Sequence, residues 1–366
     1  MSQTKAQLVS GTTAQDLTVD NINTTSINSG QTSGKKNLII NGAMLVAQRG
    51  TSSTSQDFQT VDRMKSNQSS IDEVATQAQV DVASGTTPYT LGFRKAFKFT
   101  NGNQTSGAGT GDVIKVQQRL EAQDIANSGW NYLSSSSYLT MSFWVKSSVA
   151  QNFYIQLIAY DNATYNYTFE TGSLSADTWT KVTHSIPGNS NIRFDNDNGL
   201  GLEIAWYQFQ GTDRTASDFA LNTWAAYASG SQSPDMTSTW YTTNNATFEI
   251  TGVQLEVGPT ATDFEHRSFE DELKKCKRYF QHWMASYRWS STSSQHHATS
   301  AFPPMRAIPT VVRTGDYFGS YEAGSSNANV NFQIGSNGCI GQTHLLHYGN
   351  SSSTAVGGYG TLSAEL

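Results

Sequence analysis

The chain has 366 residues, of which 37% are hydrophobic, 11% aromatic and only 14% charged. That length allows two or three compact units, and the aromatic content supplies enough buriable area to exclude a wholly disordered chain. With 23 basic against 29 acidic residues the formal charge is -6, which argues against nucleic acid or an anionic membrane as partner.

Residues 1–36 carry few large apolar side chains (Leu8, Val9, Leu17, Val19, Ile22 and Ile27 among Ser, Thr and Asn), so they form no core alone. Short β-prone pieces such as "LTVDNI" become stable only when paired with another chain or with copies of themselves. Two readings stand: a docking or trimerisation segment, or a loose tail. No apolar signal region opens the chain and no run approaches ~20 apolar residues, so neither secretion nor membrane insertion is expected.

From Asn37 the texture becomes strands with turn punctuation. "NLIINGAMLVAQR", "LGFRKAFKFTNG", "YLTMSFWVKSS", "NFYIQLIAYDN", "YNYTFETGSL", "TWTKVTHSIPG", "GLGLEIAWYQFQG" and "ATFEITGVQLEVG" are each rich in β-branched or aromatic residues. Each is closed by Gly, Pro, Asn, Asp or Ser. Strands at short spacing without intervening helices predict an antiparallel sandwich over 37–266, of jelly-roll type. Alternation sets Phe143 and Val145 opposite Trp144, and Phe153, Ile155 and Leu157 opposite Tyr154, Gln156 and Ile158.

"SFEDELKKCKRYFQHW" predicts one amphipathic helix within 267–284. Ser268 with Asp271 resembles a capping box, and Glu270–Lys274 and Asp271–Lys275 are acid-before-base pairs four apart. Phe269, Leu273, Cys276, Phe280 and Trp283 make an apolar stripe. That stripe packs either across its own β-domain or around a three-fold axis. Residues 285–366 alternate short strands with Gly, Ser and Asn turns, a second and smaller β-domain.

Chemistry is sparse. Cys276 and Cys339 are expected to be free thiols, since neither sits in a CxxC. His296–His297 and His344–His347 lack visible further ligands, and "RFDNDNG" (193–199) lacks the bidentate Glu of a calcium loop. Asp195 and Asp197 carry no sign of the acid and base roles of a glycosidase. No enzyme is expected. The positive signal is aromatic: Trp224 and Tyr227, Trp240 and Tyr241, and Tyr287 and Trp289 lie among Gly, Ser, Asn and Asp, the mixture that sugar-binding loops use. For each, the alternative is an aromatic packed in a core or trimer interface.

Three stretches resemble a known family. "NLIINGAMLVAQRG" with "VDRMK" is similar to the N-terminal signature of bacteriophage tail-fibre and receptor-binding proteins, whose usual Asp-Arg-Trp ending is Asp62-Arg63-Met64 here. "TGVQLEVGPTATDFEHRSFEDELKKCKRYFQ" resembles that family's closing strand and following helix, and "FPPMRAIPTV" its next segment, so the likeness spans residues 37 to 312. The middle resembles a carbohydrate-binding-module jelly roll. The resemblance implies a homotrimeric, non-enzymatic fibre on the phage tail, with residues 1–36 docking to other virion proteins and the β-domains facing a host-surface glycan or receptor. It implies no cofactor beyond a structural calcium near the first and last strands, with Asn41 and Glu256 as neighbours, and it makes the helix a strut between β-units. An architectural virion fibre or adaptor, and a polysaccharide depolymerase, remain as alternatives.

Overall fold

The computed structural model describes residues 26–27, 30–31, 36–288, 296–317, 331–334, 344–350 and 355–366; Trp289, Cys339 and most of the expected docking segment lie outside them. The chain divides into two compact units, Met1–Lys36 and Asn37–Leu366. Of the first, the described part is an antiparallel pair, β1 (Ser26–Ile27) with β2 (Gly30–Gln31). The divisions drawn from sequence after residues 266 and 284 fall inside the second unit.

That unit is mainly β. Its strands are β3 (Ser52–Ser53), β4 (Lys65–Ser69), β5 (Thr76–Asp81), β6 (Lys95–Thr100), β7 (Val113–Glu121), β8 (Tyr138–Ser147) and β9 (Tyr154–Ala159). They continue with β10 (Tyr165–Glu170), β11 (Thr180–Pro187), β12 (Leu200–Gln210), β13 (Trp224–Ala226) and β14 (Thr247–Val257). Two six-stranded antiparallel sheets result, in the orders β13-β10-β9-β12-β7-β4 and β11-β8-β14-β6-β5-β3. The chain passes repeatedly from one sheet to the other, so the core between them is built from residues distant in sequence. Alternation decides which residues enter it: Ile155, Leu157, Leu202, Ile204 and Trp206 of the first sheet meet Leu139, Met141, Phe143, Val145 and Phe248 of the second. Phe143 and Trp206 touch edge to face with centroids 6.0 Å apart. Trp144 turns to the outside of its sheet and packs in a separate small cluster with Phe93 and Trp179.

Beyond the sandwich, β15 (Phe280–Arg288), β17 (Thr310–Tyr317) and β20 (Ala355–Ser363) form one three-stranded sheet, in the order β15-β20-β17. A second contains β16 (His296–Ala301), β19 (His344–Asn350) and β18 (Asn331–Ile334).

The stretches that resemble tail-fibre signatures, more than 200 residues apart, meet in a buried polar seam. Asn37 Nδ2 donates to the Val253 carbonyl at 3.0 Å, while its Oδ1 accepts from Leu255 N at 3.1 Å. Arg267 donates to the Asn37 and Ile39 carbonyls and to the carboxylates of Glu265 and Glu272, each carboxylate at 2.9 Å. Glu272 also accepts from Asn41 N. Arg63 lies 3.5 Å over the Tyr279 ring and pairs with Glu365, and Arg49 lies 3.5 Å over Phe280. The seam holds unusual backbone: Asn41, Met44 and Arg63 have φ of 61°, 58° and 71°, left-handed values that only surrounding contacts can maintain in Met and Arg. Gly252, at φ 62° in the β14 bulge, sits where a Cβ would come within 2.6 Å of the Phe93 ring.

The helix expectation needs correction. The helix runs only over Phe269–Lys277, capped by Ser268 Oγ accepting from Asp271 N at 3.1 Å. Phe280 and Trp283 belong to β15, not to a helical stripe, and both are buried. The turn comes where it does because Arg278 and Tyr279 both reach Glu121, at 2.6 to 2.7 Å. The buried helix face carries Glu272 and Cys276, Leu273 is half-buried, and Phe269 is 56% exposed. Ion pairing of Glu272 within the seam, rather than the apolar spacing, sets the helix rotation.

Candidate functional site

The outward face of the first sheet is where polar chemistry collects. Cross-strand neighbours share a face, so the register lays out three rows across the strands. Lys115, Tyr207 and Tyr154 form the first, and Gln117, Ala205, Gln156 and Thr168 the second. Arg119, Glu203, Ile158, Asn166 and Ala225 form the third.

A following segment roofs the first two rows. The Gln232 carbonyl accepts from Gln156 Nε2 at 2.8 Å and from Thr168 Oγ1 at 2.9 Å. The Tyr207 hydroxyl donates to Gln156 Oε1 at 3.0 Å, and Met236 packs on Val113, Ala205 and Tyr207. In the third row Glu203, Ile158 and Asn166 are buried, while Ala225 at its edge is exposed. The centre of the row is Glu203, held by Lys115 Nζ at 2.9 Å, Arg119 Nε at 2.8 Å and Gln117 Nε2 at 3.1 Å. Burial works to raise the Glu203 carboxyl, but Lys115 and Arg119 outweigh it and keep it below its ordinary value. Tyr160 stands beside it, 37% of Tyr227 is open to solvent, and the Tyr227 amide bonds the Thr164 carbonyl at 2.9 Å just past β13.

Tyr227 follows Ala225 by two residues and so faces the same way. Burial, then the nearby charges of Glu203 and Tyr227, push the Tyr207 hydroxyl well above its ordinary value. In the third row lies Asn166, 1% exposed, whose Nδ2 and Oδ1 both lack a hydrogen-bond partner among the described residues; Gln117 Oε1 is in the same condition.

The face holds two buried carboxylates, each engaged by cationic side chains. Glu203 is held by Lys115 and Arg119. Glu121 is engaged by Arg278 and Tyr279, which outweigh the effect of its burial and leave it below its ordinary value. A glycosidase acid requires the opposite shift.

The residues proposed from sequence separate under this geometry. Tyr227 belongs to the face. Trp224 is three residues earlier and on the inward side, its Nε1 donating to the Pro187 carbonyl at 2.7 Å and its ring 5.5 Å from Tyr167. Trp240 and Tyr241 are corrected outright: both lie in the core, Trp240 with no exposed surface. Trp240 Nε1 donates to the Thr247 carbonyl at 3.0 Å, and Tyr241 stacks on Phe209 at 4.3 Å while donating to Asp112 Oδ2 at 2.7 Å. Their large apolar area was worth more buried than displayed. Tyr287 falls in β15 with its side chain outside the described set, as are the side chains of the paired histidines, and Trp289 lies outside altogether. Asn166, Glu203, Lys115 and Arg119 were missed, because isolated polar residues in a strand carry no motif.

The calcium neighbours are spent internally. Asn41 Nδ2 donates to the Val46 and Asp62 carbonyls and its Oδ1 accepts from Val46 N, while Glu256 accepts from Gln254 Nε2 and from Thr262. Among the described residues no group of three or more His, Cys, Asp or Glu is placed to hold a metal ion. No helix among them is long and apolar enough to cross a membrane.

No protein-family model matches the chain, and no curated protein matches it in sequence. Solved structures give distant likenesses. The enzymatically active domain of bacteriophage CBA120 tailspike protein 4 is 9% identical with a TM-score of 0.30, over 61% of this chain and 21% of that one. A family 11 carbohydrate-binding module from Clostridium thermocellum is 13% identical with a TM-score of 0.26, over 59% of this chain and 98% of that one. TmCBM61, solved with β-1,4-galactotriose, is 10% identical with a TM-score of 0.27, over 62% and 99%. All three scores lie below 0.5.

Proposed function

We propose that this chain is a non-enzymatic bacteriophage tail-fibre protein whose sandwich attaches the virion to a host-surface glycan. The third row of the first sheet carries this reading. Amides, tyrosines and a cation-neutralised carboxylate on one rigid sheet supply hydrogen bonds for hydroxyls and rings for sugar faces, and the buried carboxylates are held ionised. The joining of the tail-fibre-like stretches into one seam supports the assignment of the fibre class. We further propose a homotrimer, in which three weak sites act together.

A glycan array probed with the full chain tests the binding, with adsorption to host cells as the companion measurement. Tyr227→Ala is expected to weaken binding by about tenfold, or about 1.4 kcal/mol, without changing the melting temperature. An array on which no glycan is retained above background removes the adhesive reading, and shortened sugars in the supernatant replace it with a depolymerase. Light scattering is expected to return three times the 39.9 kDa chain mass; a monomer refutes the trimer.

A further inference from the structure

Resting on that reading, we infer that Asn166 is the specificity-determining residue of the site and that it reads a pair of adjacent sugar hydroxyls. Both polar atoms of its amide are buried without a hydrogen-bond partner among the described residues. Such a group disfavours the folded state and calls for a compensating use. Its neighbours in the row cannot supply one, since Ile158 and Ala225 have no polar side-chain atoms. Thr168, two residues on and on the same face, bonds the Gln232 carbonyl instead. An amide places one acceptor beside one donor. Its complement is a vicinal diol in which one hydroxyl donates to Oδ1 and the next accepts from Nδ2.

The surroundings fit a neutral hexose edge. Ile158 offers an apolar floor, and Tyr160 and Tyr227 offer rings for C–H faces. Ala225, the cross-strand neighbour of Asn166 on the edge strand β13, is exposed, and Tyr227 just past that strand is partly in solvent, so the amide is approached from this edge of the sheet. Removing the Tyr227 ring loses that C–H contact, which is why Tyr227→Ala weakens binding.

The test uses the glycans retained by the wild-type full chain on the array, each printed untreated and after mild periodate, which cleaves vicinal diols. The wild type is expected to bind untreated glycans and to lose the periodate-treated ones. Asn166→Leu, which replaces the orphaned amide by an apolar group of similar size, is expected to melt at or above the wild-type temperature while binding falls at least about tenfold. A residue with a merely structural role gives the reverse: a lower melting temperature with affinity retained in the folded fraction. Retained binding by Asn166→Leu, a lowered melting temperature, or indifference to periodate overturns the inference while leaving glycan attachment standing. A wild type that retains no glycan overturns both.

Discussion

Replacing Arg267 by Leu tests whether the seam, rather than a linker, fastens the helix to the sandwich. Arg267 is nearly inaccessible and serves two carboxylates and two carbonyls at once. Without it Glu272, itself buried, keeps only Asn41 N, and Glu265 keeps only Asn37 N at 2.6 Å. Removing one partner from a buried pair costs about 3 to 5 kcal/mol, because the remaining charge stays desolvated. The backbone donors retained by both carboxylates place the expected loss near the lower end, about 3 kcal/mol. The double variant Arg267→Leu, Glu272→Leu removes the stranded charge, so its cost is expected to fall short of the summed single variants by about 2 kcal/mol. Urea unfolding followed by tryptophan fluorescence reads both numbers from the midpoints at unchanged slope. A loss under about 1 kcal/mol, the range of an exposed ion pair, or simple additivity, refutes a buried, coupled seam.

Three further outcomes follow from the geometry. Gly252→Ala adds a methyl 2.6 Å from the Phe93 ring at a φ of 62°, and a loss of about 2 to 3 kcal/mol is expected in a thermal melt. Trp240→Ala is expected to lose about 3 to 5 kcal/mol, with binding retained in whatever fraction stays folded, since its ring touches core and not ligand. His184 stacks on Phe169 at 4.2 Å with Nε2 3.0 Å from the Tyr167 hydroxyl, and burial holds its proton affinity below the ordinary 6.5. The folded chain thus binds that proton less readily than the unfolded one, so stability is full above pH about 6.5 and is lost as pH falls toward the depressed value. Melts between pH 7.5 and 5.5 are expected to show this slope in the wild type and a smaller one in His184→Gln.

The strands were legible because their signal is local. Alternation in "SFWVK" and "FYIQLIAY" correctly separated Phe143, Val145, Ile155 and Leu157, which face the core, from Tyr154, Gln156 and Ile158, which face outward. The end of the helix was not legible. Phe280 and Trp283 continue a helical spacing, yet they also suit a strand, and only the distant Glu121 decides in favour of the strand by capturing Arg278 and Tyr279. Trp240 and Tyr241 were misplaced for a related reason: a polar neighbourhood in sequence says nothing of a partner such as Asp112 more than a hundred residues away.

The same contrast explains why the recognisable stretches and the candidate site lie in different places. A seam that holds Met44 and Arg63 in left-handed backbone and buries Glu272 against Arg267 tolerates few side chains at each position, so it leaves a readable signature. A binding face needs only a rigid sheet and outward-facing polar residues at every second position. Gln117, Gln156, Asn166 and Glu203 occupy such positions on four neighbouring strands. Gln156 is tied to the Gln232 carbonyl, and Glu203 to Lys115, Arg119 and Gln117, so of the four only Asn166 has a side chain with no partner among the described residues. Under the proposed reading, unpartnered buried polar atoms such as those of Asn166, rather than motifs, are therefore the marks by which the site is found.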